Sequence, residues 1–186
     1  IGSGAGSAIN SGDADGTIAI GYQAGAAITS GQRNVVMGYQ AGLSITTMDD
    51  TVAIGYGAGD ALSTGTGRNT IIGGAAASDL TTESQNVAIG SSALGGATGA
   101  SNVIAIGHRA AVALSHGDSS GTVAIGVLAL EAANGAHARN LAIGYYAGIT
   151  SQKFNAIAIG IEAGTSLQGV NSIAIGSIAG KSNQAQ

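Results

Sequence analysis

The stretch "TIAIGYQAG" at residues 17–25 returns as "NVVMGYQAG" seventeen residues later and as "TVAIGYGAG" seventeen after that. Aligned on the glycine of "AIG", the phrase recurs at Gly2, Gly21, Gly38, Gly55, Gly73, Gly90, Gly107, Gly126, Gly144, Gly160 and Gly176. The spacing stays between 16 and 19 residues, so the repeat fills the 186-residue chain and is itself the architecture. Positions below are counted from this anchor glycine.

Position −1 is Ile in ten repeats and Met37 in the other. Position −3 is Ile, Val or Leu in nine of the ten repeats that contain it, with Thr70 as the exception. Between them lies Ala in eight of ten, with Val36 and Ile71 as the others. Large aliphatics alternate with small residues at period two, and β-branched residues favour strands. Each phrase therefore reads as a strand of four or five residues. Position +3 is Ala in all eleven repeats, which marks a crowded place. Position +7 is aliphatic at Ile9, Ile28, Ile45, Leu62, Leu80, Leu114 and Leu167. Ala97 and Ala133 replace it, and Ser151 and Asn183 break it. Polar stretches such as "TSGQRN" and "STGTGRN" close each unit and have turn chemistry.

A strand, a glycine turn, a second short extended piece and a polar loop make one coil that cannot bury its own aliphatic row. Stacking coils about 4.8 Å apart aligns the rows and pairs the backbones. The expected fold is an all-β parallel β-solenoid, or β-roll, of about eleven coils in one domain spanning residues 1–186 and cut mid-repeat at both ends. Stacked this way, the rod is roughly 50 Å long. Ile18 and Ile20 are expected in a stacked interior row, with Gly21 making the turn and Ala24 and Gly25 allowing close approach. The Ala/Gly face is expected outside, packed against another copy. A three-fold bundle is the simplest closed fibre of this kind.

Composition agrees with repetitive small-residue packing. There are 33 Gly, no Pro, no Cys and no Trp, and charged residues make up 9%. Ordinary domains carry about 25%. Without Cys there is no disulfide scaffold or thiolate metal site. A net charge of −4 with no basic run argues against nucleic acid. No apolar stretch approaches the roughly 20 residues of a membrane span.

The phrase "AIGxxAG", preceded by Asn or Thr and an aliphatic, resembles the head repeat of YadA-like trimeric autotransporter adhesins and similar repeats in tail and surface fibres of phages and viruses. "NVAIGSSAL" (86–94), "NAIAIGIEAG" (155–164) and "NSIAIGSIAG" (171–180) resemble it most. The resemblance implies a left-handed β-roll, a homotrimer, an extracellular place on a bacterial surface or virion, and attachment to a host glycan or protein receptor.

No enzyme chemistry is expected, and no cofactor. "GSGAG" at residues 2–6 lacks the long helix a phosphate loop needs. Asp13, Asp15, Asp49 and Asp50 lack the ligand spacing of a calcium loop. His108, His116 and His137 share no register, and no Ser, His and acid recur together as a triad. Arg33, Asp50 and Arg68 share position −5 in successive coils and should form an alternating charge column. Tyr22, Tyr39 and Tyr56 share position +1, as does Tyr145 later, and should form a tyrosine column. That column is the candidate for ligand or subunit contact. The leading function is a trimeric adhesive or receptor-binding fibre segment. The alternative is a structural spacer or filament subunit. Drifting spacing and irregular Thr disfavour ice binding, and short coils disfavour a pectin-lyase-like enzyme.

Overall fold

In the computed structural model, residues 1–9, 14–114, 120–132, 139–150, 152–166 and 168–181 are described. Ten strands follow one another as Ile18–Ile20 (β1), Val35–Met37 (β2), Val52–Ile54 (β3), Thr70–Ile72 (β4) and Val87–Ile89 (β5), then Ile104–Ile106 (β6), Val123–Ile125 (β7), Leu141–Ile143 (β8), Ile157–Ile159 (β9) and Ile173–Ile175 (β10). They form one parallel sheet in chain order, with no crossover. The chain is a β-solenoid, and no helix occurs among the described residues.

Register is uniform. Ile18 pairs with Val35, Val35 with Val52, and Val52 with Thr70, and so on to Ile157 with Ile173. Loops of differing length absorb the drift in repeat spacing. The strands are three residues long, shorter than expected, because a turn begins at each anchor glycine. Among the described residues there are ten strands rather than eleven: the first phrase has only Ile1 before its glycine. Its backbone nevertheless stacks on the next coil, with the Gly21 N–H donating to the Ile1 carbonyl at 2.7 Å.

The anchor glycine is forced by the coil spacing. At ten of the eleven anchors, an added Cβ would lie 2.3–2.6 Å from the carbonyl oxygen of the next anchor. The exception is Gly176, the last of the eleven anchors, whose nearest neighbour would be Ala179 Cβ at 3.9 Å. The anchors also hold φ between 122° and 140°.

The second extended piece expected after the anchor is instead a run of turns. Positions +2 and +4 both adopt left-handed backbone, as at Gln23 (φ 52°) and Gly25 (φ 56°). Many such positions carry side chains, including Gln40, Ala75, Leu94 and Leu130. Each costs on the order of 1–2 kcal/mol of backbone strain. The coil-to-coil bonds hold them there: the Gln40 N–H donates to the Tyr22 carbonyl at 2.8 Å and the Ala75 N–H to the Tyr56 carbonyl at 2.8 Å.

The structure reverses the expected faces of the sheet. The middle residue of each strand points inward, and Val36, Ala53, Ile71, Ala88 and Ala105 are fully buried. Ile18 and Ile20 do not fill the interior; Ile18 is 50% exposed. Ile173 and Ile175 reach 60% and 66%. The reason is the opposite wall. It brings the +3 alanines and the buried +7 aliphatics Ile28, Ile45, Leu62, Leu80 and Leu114 against the strand. A Cβ on Gly25 would lie 2.6 Å from Ile28 Cδ1 and 2.8 Å from Val36 Cγ2, so the interior is already full. Only a small residue fits on most strands.

Packing is compensated within coils. Where position +7 shrinks to Ala97, position +4 grows to Leu94, and both are fully buried. A buried asparagine ladder at −4 closes the other corner. Asn86 Nδ2 donates to the Ala100 carbonyl at 2.8 Å, and its Oδ1 accepts from the Val103 N–H at 3.0 Å. Asn34 and Asn69 repeat this arrangement one coil apart from their own partners. Each satisfies two backbone groups that would otherwise be buried unpaired.

Candidate functional site: the tyrosine column

The residue after each anchor inherits the coil spacing, so identical side chains there must stack. Tyr22 and Tyr39 have ring centroids 5.1 Å apart and planes 17° apart. Tyr39 and Tyr56 are separated by 5.2 Å and 9°. The rings therefore lie face to face along the rod and cover one another, leaving edges to solvent. Tyr22 and Tyr39 are 46% and 44% exposed, but Tyr56 is 67% exposed. The next residue in the column is Gly74, and a Cβ there would meet nothing within 4 Å. Ser91 and His108 continue the column, and both are exposed. Tyr145 does not extend it. It packs edge-on to Tyr146 at 4.3 Å, and a hydrogen bond with Tyr146 pushes its phenol pKa up.

Beside Gly74 lies an open depression of about 510 Å³. Gly95 and Gly96 line its floor, and Ser78, Asp79, His108 and Arg109 are among its walls. Gly95 stands at position +5, where neighbouring coils carry Ser78 and Val112. Ser78 Oγ donates to the Gly95 carbonyl at 2.9 Å, and Arg109 Nη2 lies 2.6 Å from Glu131 Oε1. The composition of this wall was not singled out from the sequence. Its one signal is the paired glycine at 95–96, in a column that otherwise bears side chains.

The charge column forms in part. Arg33 Nε lies 2.6 Å from Asp50 Oδ1, and Arg33 Nη2 also reaches Asp49. The hydrogen bond from Arg33, together with its charge, holds the Asp50 carboxyl below its ordinary pKa despite some burial, and Arg68 acts in the same direction. Arg68 makes no direct ion pair with Asp50 among the described residues. These carboxylates are engaged in pairing: Asp49 Oδ1 also accepts from the Gln32 N–H at 2.8 Å. Asp13, His116 and His137 lie outside the described residues. Among the described residues, no group of three or more His, Cys, Asp or Glu is placed to hold a metal ion. None forms a helix long and apolar enough to cross a membrane.

Glu83 is a functional-looking carboxylate with a structural role. It accepts from the N–H groups of Thr81 (2.6 Å), Thr82 (2.8 Å) and Gly99 (2.6 Å) and ties two loops together. Burial pushes its pKa up, but these backbone bonds outweigh it and hold it below the ordinary value. Nothing in the sequence marks it, because the partners are main-chain groups, two in its own loop and one, Gly99, in the neighbouring coil.

Compared with known proteins, the chain matches no family model, no curated protein and no solved structure.

Proposed function

We propose that the chain is a segment of a homotrimeric extracellular fibre that adheres to a host or cell surface, as in bacterial adhesin heads and phage or viral fibres. The carrying observation is the outward face of the sheet. Positions −3 and −1 present two columns of Val, Ile, Leu and Met on ten strands, interrupted only by Thr70, and no strand contains a charged residue. With strands about 4.8 Å apart, this strip runs for roughly 45 Å and presents on the order of 500 Å² of mostly apolar surface. A contiguous patch that size is at the upper end of what monomers expose and is often functional. Three copies meeting along such strips would remove them from water while leaving the turn-and-loop walls free to contact a partner. The reading corrects which face mediates assembly: the aliphatic columns, not the alanines.

The test is mass in solution. Sedimentation should give three chains per particle, and Ile89→Asp should give a single chain with an unchanged far-ultraviolet spectrum. A monomeric parent chain would remove the assembly reading. A trimer that adheres to no cell surface or glycan array would favour the spacer.

A further inference from the structure

The tyrosine column ends in a slot with a definite thickness. Stacked rings leave no face for a ligand, except where the stack stops. On the Tyr22 side, the neighbouring coil supplies Ser3 at the same position. On the Tyr56 side it supplies only Gly74, with open space around it. The next side chain in the column is Ser91, two coils from Tyr56, or about 10 Å away at strand spacing. A flat ring touching both walls needs about 7–8 Å between them. The remaining 2 Å or so suits a puckered ring bearing hydroxyls better than a flat aromatic one. Ser91 is exposed, and its hydroxyl makes no hydrogen bond to the described residues.

The depression adjoins this slot, because Ala75 follows Gly74 and lines it, as do Ser92 and His108. It offers hydroxyl, carboxylate and imidazole groups at its wall. Its one guanidinium, Arg109, is held by Glu131, and Asp79 adds a negative charge. An anionic ligand therefore has little to attract it.

We propose that Tyr56, Gly74 and Ser91, with the depression floored by Gly95 and Gly96, bind a neutral saccharide. One pyranose ring lies on the bare face of Tyr56, in the place a fourth tyrosine would take. The next sugar unit occupies the depression, within reach of Asp79 and His108. This assignment rests on the adhesive reading and gives it a ligand class.

The chain has five Tyr, three His, one Phe and no Trp, so saturation-transfer NMR with aromatic irradiation starts mainly from tyrosine and histidine rings, Tyr56 and His108 of the proposed site among them. The probes are methyl pyranosides and neutral trisaccharides of glucose, galactose and N-acetylglucosamine. Gly74→Tyr is the main variant, since a Cβ there meets nothing within 4 Å and the position is the next in the tyrosine column. At least one probe should bind. Gly74→Tyr and Tyr56→Ala should each weaken it about tenfold or more, the order of a ring-stacking contact. Tyr22→Ala, at the covered end, should change it by less than about twofold. Circular dichroism and sedimentation should be unchanged in all three. Binding that survives Gly74→Tyr, equal losses for Tyr22→Ala and Tyr56→Ala, or no binding of any probe overturns the site. Cell adhesion that persists in Gly74→Tyr would overturn the site alone. Saccharide binding without cell adhesion would instead overturn the adhesive reading.

Discussion

Substituting Gly55 by alanine tests what sets the coil spacing. Its Cβ would lie 2.5 Å from the Gly73 carbonyl oxygen and 2.7 Å from the carbonyl carbon, while φ is 137°. No side chain can yield, because both obstacles are backbone. The backbone conformation alone costs about 1–3 kcal/mol. Overpacking against the next coil adds about 1–3 kcal/mol. Gly57, two residues on, is the matched control. It is left-handed too (φ 58°), yet its Cβ would meet only the Asp60 carboxylate, no closer than 3.6 Å, and Ala75 already fills the same position in the next coil. Alanine at Gly57 should cost about 1 kcal/mol or less, since it also restricts the unfolded chain. For a chain of this size each kcal/mol moves Tm by about 2–4 °C. Gly55→Ala should therefore lower Tm by roughly 5–20 °C, and Gly57→Ala by no more than a few degrees. Thermal melts followed at far-ultraviolet wavelengths read both. Equal melting temperatures would mean that the anchor is glycine for some reason other than coil contact.

Two further outcomes follow from the interior and the loops. Leu94→Ala should destabilise by about 2–5 kcal/mol, and adding Ala97→Leu should restore much of it by refilling the same space from the neighbouring position; chemical denaturation of the single and double variants measures the recovery. Glu83 has a folded pKa below its ordinary value of 4.5, so its contribution is present in full above that pH and is lost as pH falls through the lower folded value. Glu83→Gln should thus melt below the parent chain at neutral pH and converge with it on acidification, as Tm measured across pH will record.

The repeat was legible because eleven copies of one phrase averaged out local ambiguity. Strand position, parallel register and the tyrosine column all follow from spacing alone. Which face of the strand turns inward did not follow. Period two separates Ile18 and Ile20 from Ala19 but is silent on which side is dry. That depends on how much volume the far wall supplies, and there Ile28, Leu62 and Leu80 leave room for alanine on most strands, with Val36 and Ile71 as the larger exceptions. The coincidence of Leu94 with Ala97 carries this information: one position grows where the other shrinks, so both lie in the same space. The slot at Gly74 was equally invisible from Tyr22, Tyr39 and Tyr56 themselves, because it arises from the residue that fails to continue them.

The uniform parallel pairing has a mechanical consequence. Every bond of the ladder runs along the rod, so adjacent coils are joined like links in series. A coil such as Gly38 to Gly55 occupies about 4.8 Å of rod, yet its 17 residues span nearly 60 Å when drawn out. Pulled by its ends, one chain would lengthen in steps of about 50 Å as coils peel off singly. Under tension the solenoid would then give way by extension, coil by coil, well before it let go.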